Sequence, residues 1–365
     1  MIREQILRFT HSRVDIPTFG LDISDQSVKY AKVVRAKHGL RLAAYGELAI
    51  PRDVIVDGEI KKADDLKTLL RDWLSRGGRE LRSSWVVASL PEEKSFLRII
   101  QIPKVKRGTV ADAIRWEIES NIPLPAADLL YDYEIIEPLE DHLDHLDVMI
   151  VAFPKAVVEP YASVLAGCGL SIAALELESQ AIVRATIRNL REKPVTIVVD
   201  VGRTRTSFII FSGGALIFTT TVKVGGEMFE SQIARILGVP PNEAIALKKE
   251  WGLSRRAFDG KVYGALVPTL SVLADEMRQA IRYYREHTVH THGASETINT
   301  VLLTGGDANL LGLPTFLSSI LKIPVRTANP FLEIGSLFSH TVPPIAKTEA
   351  LAFNAPLGLA LRGIR

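Results

Sequence analysis

The chain has 365 residues, 47 % of them hydrophobic, a net charge of +2 and a single cysteine, Cys168. That length allows two domains with filled cores, the near-neutral charge gives no reason to expect nucleic acid as the main partner, and one cysteine excludes an intrachain disulfide framework. No apolar run approaches the ~18 residues needed to cross a bilayer and no charged-then-apolar leader opens the chain, so a soluble cytoplasmic protein is expected.

Residues 1–14 mix Ile2, Ile6, Leu7 and Phe9 with Arg3, Arg8 and Arg13 and read as an N-terminal extension, either locally docked or able to touch an anionic surface. From Phe19 to Leu42 the pattern is strand, Asp22, a short polar turn, a second strand, a turn at Gly39 and a third strand. Asp57-Gly58-Glu59-Ile60 then opens into a helix predicted over 63–75 by Leu66, Leu69, Leu70, Trp73 and Leu74, with Gly77-Gly78 stopping it.

Trp85–Leu90 and Phe96–Ile102 read as strands, and a capping-box-like start at Thr109 predicts a helix through Ser120. Leu130–Ile136 and Val148–Phe153 form a further strand pair, Lys155–Ala166 a helix closed by Gly167, and Ser171–Leu175 a strand. Together these predict a compact α/β subdomain inserted into the first half. Asp141, His142, Asp144, His145 and Asp147 resemble metal-ligand density, but they lie where a solvated hairpin loop is expected, which is the reading preferred. His287, His290 and His292 follow a long helix whose C-terminal end favours them.

Val195–Thr221 repeats the opening device: a strand that runs out at Asp200-Val201-Gly202, a second strand, a turn at Gly213-Gly214 and a third strand. A carboxylate followed by a glycine and by the hydroxyls of Thr204 and Thr206 suits a hydrated divalent cation beside phosphate oxygens, although Asp-x-Gly is also an ordinary hairpin turn. Two copies of an acidic strand-turn-strand suggest two related halves facing a cleft.

Gly225-Gly226-Glu227 opens a helix through Leu237; Pro241–Trp251 and Leu266–Arg285 add two more. Thr300–Leu303 is a buried-type strand ending in Thr304-Gly305-Gly306-Asp307, where backbone can lie flat against a ligand. Pro324–Arg326 reads as an edge strand and Ala352–Leu361 as a closing helix.

In this order, Asp22 with Lys29, Glu178 before a helix, Asp200-x-Gly202, Gly225-Gly226-Glu227, Gly305-Gly306 and Gly358-Leu359-Ala360 resemble the nucleotide motifs of the actin-like ATPase superfamily. Within it the segments GLDISDQSVK, VDGEI, LPEEKSFLRIIQIPK, VGGEMFESQIA and LLTGGDANLLGL resemble the PilM family of type IV pilus assembly proteins, from Thr18 to Arg362. The resemblance implies an α/β, ribonuclease H-like fold of two lobes with ATP and Mg²⁺ in the cleft. It implies subdomain 1A over 15–83, 176–193 and 335–365, the insert 1C over 84–175, 2A over 194–225 and 297–334, and 2B over 226–296.

Carried over by position, Asp22 and Asp200 would hold the hydrated magnesium, and Ser24, Asp25, Ser27 and Lys29 would form the first phosphate hairpin. Gly202, Arg203, Thr204 and Thr206 would form the second, with Gly225, Gly226, Glu227, Gly305 and Gly306 around the nucleoside and Glu178 orienting the attacking water. Arg203 and Arg205 would clamp phosphate or point to solvent. Ser24 stands where the family usually has glycine, which implies strain or a poorer approach to phosphate.

The implied role is an ATP-binding component of the pilus machinery, at the inner face of the cytoplasmic membrane through partners. Those partners would be the N-terminal cytoplasmic peptide of a PilN-like membrane protein, other pilus assembly proteins and further copies of itself. The alternatives are a scaffold that no longer turns over ATP and a filament-forming division protein resembling FtsA. The FtsA family usually ends in an amphipathic membrane-binding helix, which this sequence does not show after its closing helix.

Overall fold

The computed structural model describes residues 17–37, 39–76, 81, 83–103, 110–136, 145–188, 195–287, 297–332, 334 and 344–364. The extension over 1–14, the glycine stop at 77–78, the cap at Thr109 and His142, His290 and His292 lie outside them. The chain divides into two compact units, Met1–Leu190 with Pro330–Ile345 and Phe353–Arg365, and Arg191–Asn329 with Ala346–Ala352.

In the first unit β1 (Thr18–Ile23), β2 (Ser27–Ala36) and β3 (Gly39–Ala49) form an antiparallel meander. A short hairpin of β4 (Ile55–Val56) and β5 (Glu59–Ile60) leads to α1 (Ala63–Ser75), which buries Leu66 and Leu70 one turn apart. Asp57 and Gly58 at the hairpin tip both have positive φ, 49° and 75°, the backbone that an Asp-Gly turn supplies.

β6 (Trp85–Leu90) pairs in parallel with β1. The chain then builds β7 (Phe96–Pro103), α2 (Val110–Asn121), β8 (Leu129–Ile136) and β9 (His145–Pro154) before α3 (Lys155–Gly167), β10 (Ser171–Leu177) and α4 (Glu178–Thr186). The resulting sheet order is β10-β6-β1-β2-β3, with a separate three-stranded antiparallel sheet β7-β9-β8.

The inserted subdomain is therefore narrower than the expected 84–175. β6 and β10 hydrogen-bond into the sheet of β1, because each is an apolar run that needs two covered faces. In the insert, Val110, Ile114 and Ile118 at helical spacing pack on Ile100, Ile102, Val148, Ile150 and Ala152 of the sheet. His145 and Asp147 lie in β9 rather than in a solvated loop, and Asp147 is buried. The stop after α3 is Gly169, at φ 78°, rather than Gly167, whose added Cβ would meet the Lys67 side chain.

The second unit holds β11 (Val195–Val201), β12 (Thr206–Ser212) and β13 (Ala215–Val222), with Gly213 and Gly214 at positive φ in the connecting turn. They are followed by α5 (Gly226–Leu237), α6 (Pro241–Trp251), α7 (Lys261–His287), β14 (Ile298–Thr304), α8 (Leu313–Leu321), β15 (Val325–Thr327) and α9 (Lys347–Ala350). Its sheet runs β13-β12-β11-β14-β15, three antiparallel strands and then two parallel ones, the same plan as the first sheet. Phe229 and Ile233 of α5 and Leu266, Leu270, Leu273 and Met277 of α7 cover Ile197, Val199 and Val201.

Residues 346–352, expected in the first lobe, belong with the second unit. Leu351 O accepts from Gly305 N at 3.1 Å and Thr304 Oγ1 at 3.3 Å, and Thr348 O from Asn309 Nδ2 at 2.6 Å.

The chain returns to the first unit with α10 (Asn354–Arg362), which packs at backbone distance. An added Cβ on Gly20 would lie 2.2 Å from Pro356 O, and one on Gly358 1.8 Å from Ala181 O. Fully buried Glu176 locks this contact by accepting from Arg184 at 2.6 and 2.9 Å and from Arg362 at 2.5 Å. Burial alone would raise the Glu176 pKa, but the two guanidinium groups outweigh it and hold it below the usual carboxylate value.

Because that pKa is depressed on folding, the contribution is present above the unfolded pKa and is lost as pH falls through the folded one. Arg362→Ala should cost about 1.5–3 kcal/mol at neutral pH and flatten the acid limb of a melting-temperature profile. A profile unchanged from wild type would show that the lock contributes nothing.

Candidate functional site

Asp22 is the penultimate residue of the buried strand β1, opposite Lys29 on β2. It is 6 % exposed, and its Oδ1 accepts from Ser89 Oγ at 2.8 Å. Burial pushes its pKa up, while the charge of Lys29 and the Ser89 hydroxyl partly offset that. Lys29 Nζ lies 2.6 Å from Ser27 Oγ and 3.2 Å from Glu47 Oε1.

The turn after Asp22 closes through Ser24 N donating to Ser27 O at 2.9 Å. Ser24 Oγ folds back onto the same carbonyl at 2.9 Å, and the residue is outside the left-handed region, so the strain expected of a serine here is not found. Asp25 Oδ1 accepts from Gly58 N at 2.9 Å, which ties the turn to the β4–β5 hairpin.

Glu178 is the first residue of α4. The N-terminus of that helix is capped from outside by Glu92, which accepts from Ser179 N at 3.1 Å and Ser179 Oγ at 3.0 Å. Tyr161 of α3 is buried and donates its hydroxyl to Gly58 O at 3.0 Å. Burial, and then the charges of Asp25, Asp22 and Glu178, raise its pKa and keep the phenol protonated. Asp22, Asp25 and Glu178 of the first unit thus all act electrostatically on one buried tyrosine.

The second unit repeats the turn. Asp200 lies opposite Ser207 on β12, and Gly202 N donates to Arg205 O at 2.9 Å, the counterpart of the Ser24–Ser27 bond. Gly226 N donates to Gly202 O at 3.0 Å and Glu227 N to Arg203 O at 2.8 Å, so the glycine pair that opens α5 is bonded to the hairpin. Gly305 has φ 91°, and an added Cβ would lie 2.7 Å from Asp200 Oδ1. Asp200, the backbone of Gly202 and Arg203, Gly225–Glu227 and Gly305 therefore converge.

Two expected side chains are turned to partners within the fold instead. Thr206 is fully buried and donates its hydroxyl to Val224 O at 2.7 Å, because β12 starts there and turns the side chain inward. Arg203 neither stands free nor points simply to solvent: it pairs with Glu230 at 3.1 Å. Glu230 and Asp307 share Lys248 Nζ at 2.7 and 2.5 Å, a buried cluster beneath the glycine turns.

Sequence pattern also passes over Ser89, Glu92, Tyr161 and this cluster. Only Ser89 carries a signal, a small polar residue one short of the end of an apolar strand, the place Asp22 holds in the strand it pairs with in parallel.

The glycines divide by what their neighbours require. An added Cβ at Gly225 would lie 2.6 Å from Arg203 O and one at Gly226 2.0 Å from Asp307, so the fold itself excludes side chains there. At Gly306 the Cβ would meet only Ala352 Cβ, at an ordinary 3.6 Å. Gly306→Ala should therefore leave the stability within about 0.5 kcal/mol of wild type, whereas Gly226→Ala should lower it. Equal melting temperatures of the two variants would show that the Asp307 carboxyl does not exclude a side chain at Gly226.

Each acidic corner by itself offers a hard oxygen donor, Asp22 with a lysine across the strand pair and Asp200 with the unpacked Gly306 next to its glycine neighbour, and donors of that kind suit a hydrated divalent cation or phosphate oxygens.

The family described as Type IV pilus assembly protein PilM matches residues 20–364. A solved PilM-PilN type IV pilus biogenesis complex superposes with a TM-score of 0.80 at 24 % identity, covering 96 % of this chain and 99 % of that one. MreB5 of Spiroplasma citri bound to ADP superposes with a TM-score of 0.55 at 12 % identity, covering 93 % and 94 %. Cell division protein FtsA of Escherichia coli K12 is 25 % identical over 206 residues, 50 % of this chain and 48 % of its own length. The chain spans about half the length of the curated relatives it matches. These likenesses identify the fold as the actin-like ATPase fold. With the match running across nearly all of its residues, the chain belongs to the PilM family of type IV pilus assembly proteins.

Proposed function

We propose that this protein binds ATP with magnesium through its two acidic corners and, in a nucleotide-dependent way, holds the N-terminal cytoplasmic peptide of a PilN-like membrane protein. The observation that carries the reading is the duplicated corner. Asp22 and Asp200 occupy the same place in two sheets of identical strand order, each before a turn closed by the same backbone bond.

In this reading Asp22 and Asp200 orient metal-bound water, Lys29 neutralises phosphate charge, and backbone from Gly202–Thr204 and Gly305–Gly306 lies along the nucleotide. Magnesium would supply charge neutralisation at the phosphates. Glu178, at the head of α4, is the group assigned to orienting a water for hydrolysis. The PilN partner is supported by the likeness, over 96 % of this chain, to the PilM-PilN complex. The protein would reach the inner face of the membrane through that partner, since among the described residues no helix is long and apolar enough to cross it.

Titration with a fluorescent ATP analogue in the presence of magnesium tests the nucleotide half, with Asp200→Ala as control. Pull-down by an immobilised PilN-like N-terminal peptide, with and without ATP, tests the partner half. Phosphate release equal in wild type and Asp200→Ala would reduce the protein to a non-hydrolysing scaffold. Absence of peptide binding to the folded chain would overturn the partner assignment.

A further inference from the structure

Three elements of the first unit meet at Gly58. Its N–H donates to Asp25 Oδ1 at 2.9 Å, and its carbonyl accepts from Tyr161 Oη at 3.0 Å. Its Cα is wedged so closely that an added Cβ would lie 2.6 Å from both Pro91 Cβ and Glu93 Oε1. One peptide group on each side of Gly58 thus links the first acidic turn to α3, with no room for the glycine to move independently.

The helix at the far end of this chain of contacts is joined to the insert. α3 begins at Lys155, directly after the last residue of β9, with no loop between. Lys155 Nζ also donates to Ala127 O, just before β8. Pro160 sits inside α3 immediately before Tyr161, which removes one helix hydrogen bond and makes this the turn that bends most easily. Tyr161 itself is 1 % exposed, so its hydroxyl has no access to bulk water as a substitute partner.

We propose that Tyr161 is a positioning residue that ties the acidic turn of Asp22 and Asp25 to the inserted subdomain through the Gly58 peptide groups, so that a ligand drawing on Asp25 shifts α3. This inference rests on the nucleotide reading above and deepens it by naming the route along which that site addresses the insert. When the Asp25 carboxylate turns toward a metal-bound water or a phosphate-bound cation, Gly58 N–H loses its acceptor. The wedge converts that loss into a movement of the Gly58 carbonyl, and the buried phenol follows its acceptor. Both hydrogen bonds lie within one unit of the chain.

The experiment is amide hydrogen exchange on the full chain with and without saturating Mg-ATP, in wild type and Tyr161→Phe, beside titration with a fluorescent ATP analogue. In wild type, ATP should change exchange in α3 and in the β7-β9-β8 sheet by about twofold or more. In Tyr161→Phe the nucleotide affinity should stay within about threefold of wild type, the response of residues 55–60 should persist, and that of α3 should vanish.

A full α3 response in Tyr161→Phe overturns the proposal, and so does an ATP-bound wild type whose α3 does not respond. A wild type that binds no nucleotide overturns the nucleotide reading and the coupling together, which the titration reports separately. If Tyr161→Phe does not fold, Asp25→Ala at saturating ATP cuts the same chain of contacts at its other end and must give the same loss.

Discussion

Asp22→Asn is expected to raise the stability of the nucleotide-free chain and to lower its affinity for Mg-ATP. The carboxylate is held in a buried corner where burial raises its pKa and only Lys29 and Ser89 offset the cost of its charge. A raised folded pKa means that the native state binds more protons than the unfolded one between the two values, so stability falls as pH rises through that window. The asparagine keeps an oxygen for the Ser89 hydroxyl and removes the charge. The gain should be roughly 0.5–2 kcal/mol, and the falling limb of the stability–pH curve assigned to Asp22 should disappear.

Binding should move the other way. A carboxylate that holds metal through water is an outer-sphere partner, and losing it should weaken Mg-ATP roughly 10–100-fold. The check is a pair of curves on the same preparation, thermal melting from about pH 4 to 8, across the carboxylate range, and nucleotide titration near neutral pH. A variant that is less stable than wild type and binds Mg-ATP equally well would show that Asp22 is a structural acid and not part of a cation site.

The second large effect concerns Lys248→Met. Lys248 is 6 % exposed and sits between Glu230 Oε1 at 2.7 Å and Asp307 Oδ1 at 2.5 Å. Removing its charge leaves two carboxylates facing each other in a buried place, with Arg203 as a half-exposed partner on the Glu230 side. Breaking a buried pair from one side typically costs about 3–5 kcal/mol. The loss should appear as faster amide exchange across α5, α6 and the Gly305–Asp307 turn.

Its pH dependence has a definite sign. The Asp307 pKa is already raised, first by burial and then by Glu230, with Lys248 and Arg203 opposing. Without Lys248 the native state takes up still more protons than the unfolded chain, so the variant should regain stability as pH falls from neutral toward the carboxylate range. Adding Glu230→Gln to Lys248→Met should restore more than half of the loss. Equal stability of the single and double variants at both ends of that range would mean that the cluster is not a coupled unit.

Gly226 also depends on this cluster, since the Asp307 carboxyl occupies the space a side chain would need. The turn proposed to carry nucleotide is in this sense built on an ion cluster that local sequence pattern does not show. Glu230 and Lys248 lie on separate helices 18 residues apart, and Asp307 a further 59 from Lys248. Each alone reads as an ordinary charged residue of an amphipathic face.

What local pattern determined is considerable. Short apolar runs broken by turns at Asp22, Gly39, Asp200-Val201-Gly202 and Gly213-Gly214 specified the two meanders around Asp22 and Asp200, since strand pairing across a short turn is decided by residues close in the chain. Helical spacing of Leu66 and Leu70, and of Ile114 and Ile118, placed α1 and α2 for the same reason. The order of the acidic turns and glycine pairs pointed to the family.

Which sheet β6 and β10 join is settled by assembly of the whole molecule, because an apolar strand pairs equally well with any covered neighbour until the sheet is complete. Assembly also decides that the Thr206 hydroxyl turns inward to Val224, that Arg203 belongs to Glu230, and that Asp25 and Tyr161 meet through Gly58. Each of these is a hydrogen bond or ion pair between residues distant in sequence. Its partner is chosen by where packing leaves a buried polar atom unsatisfied, a quantity that does not exist until the chain has folded.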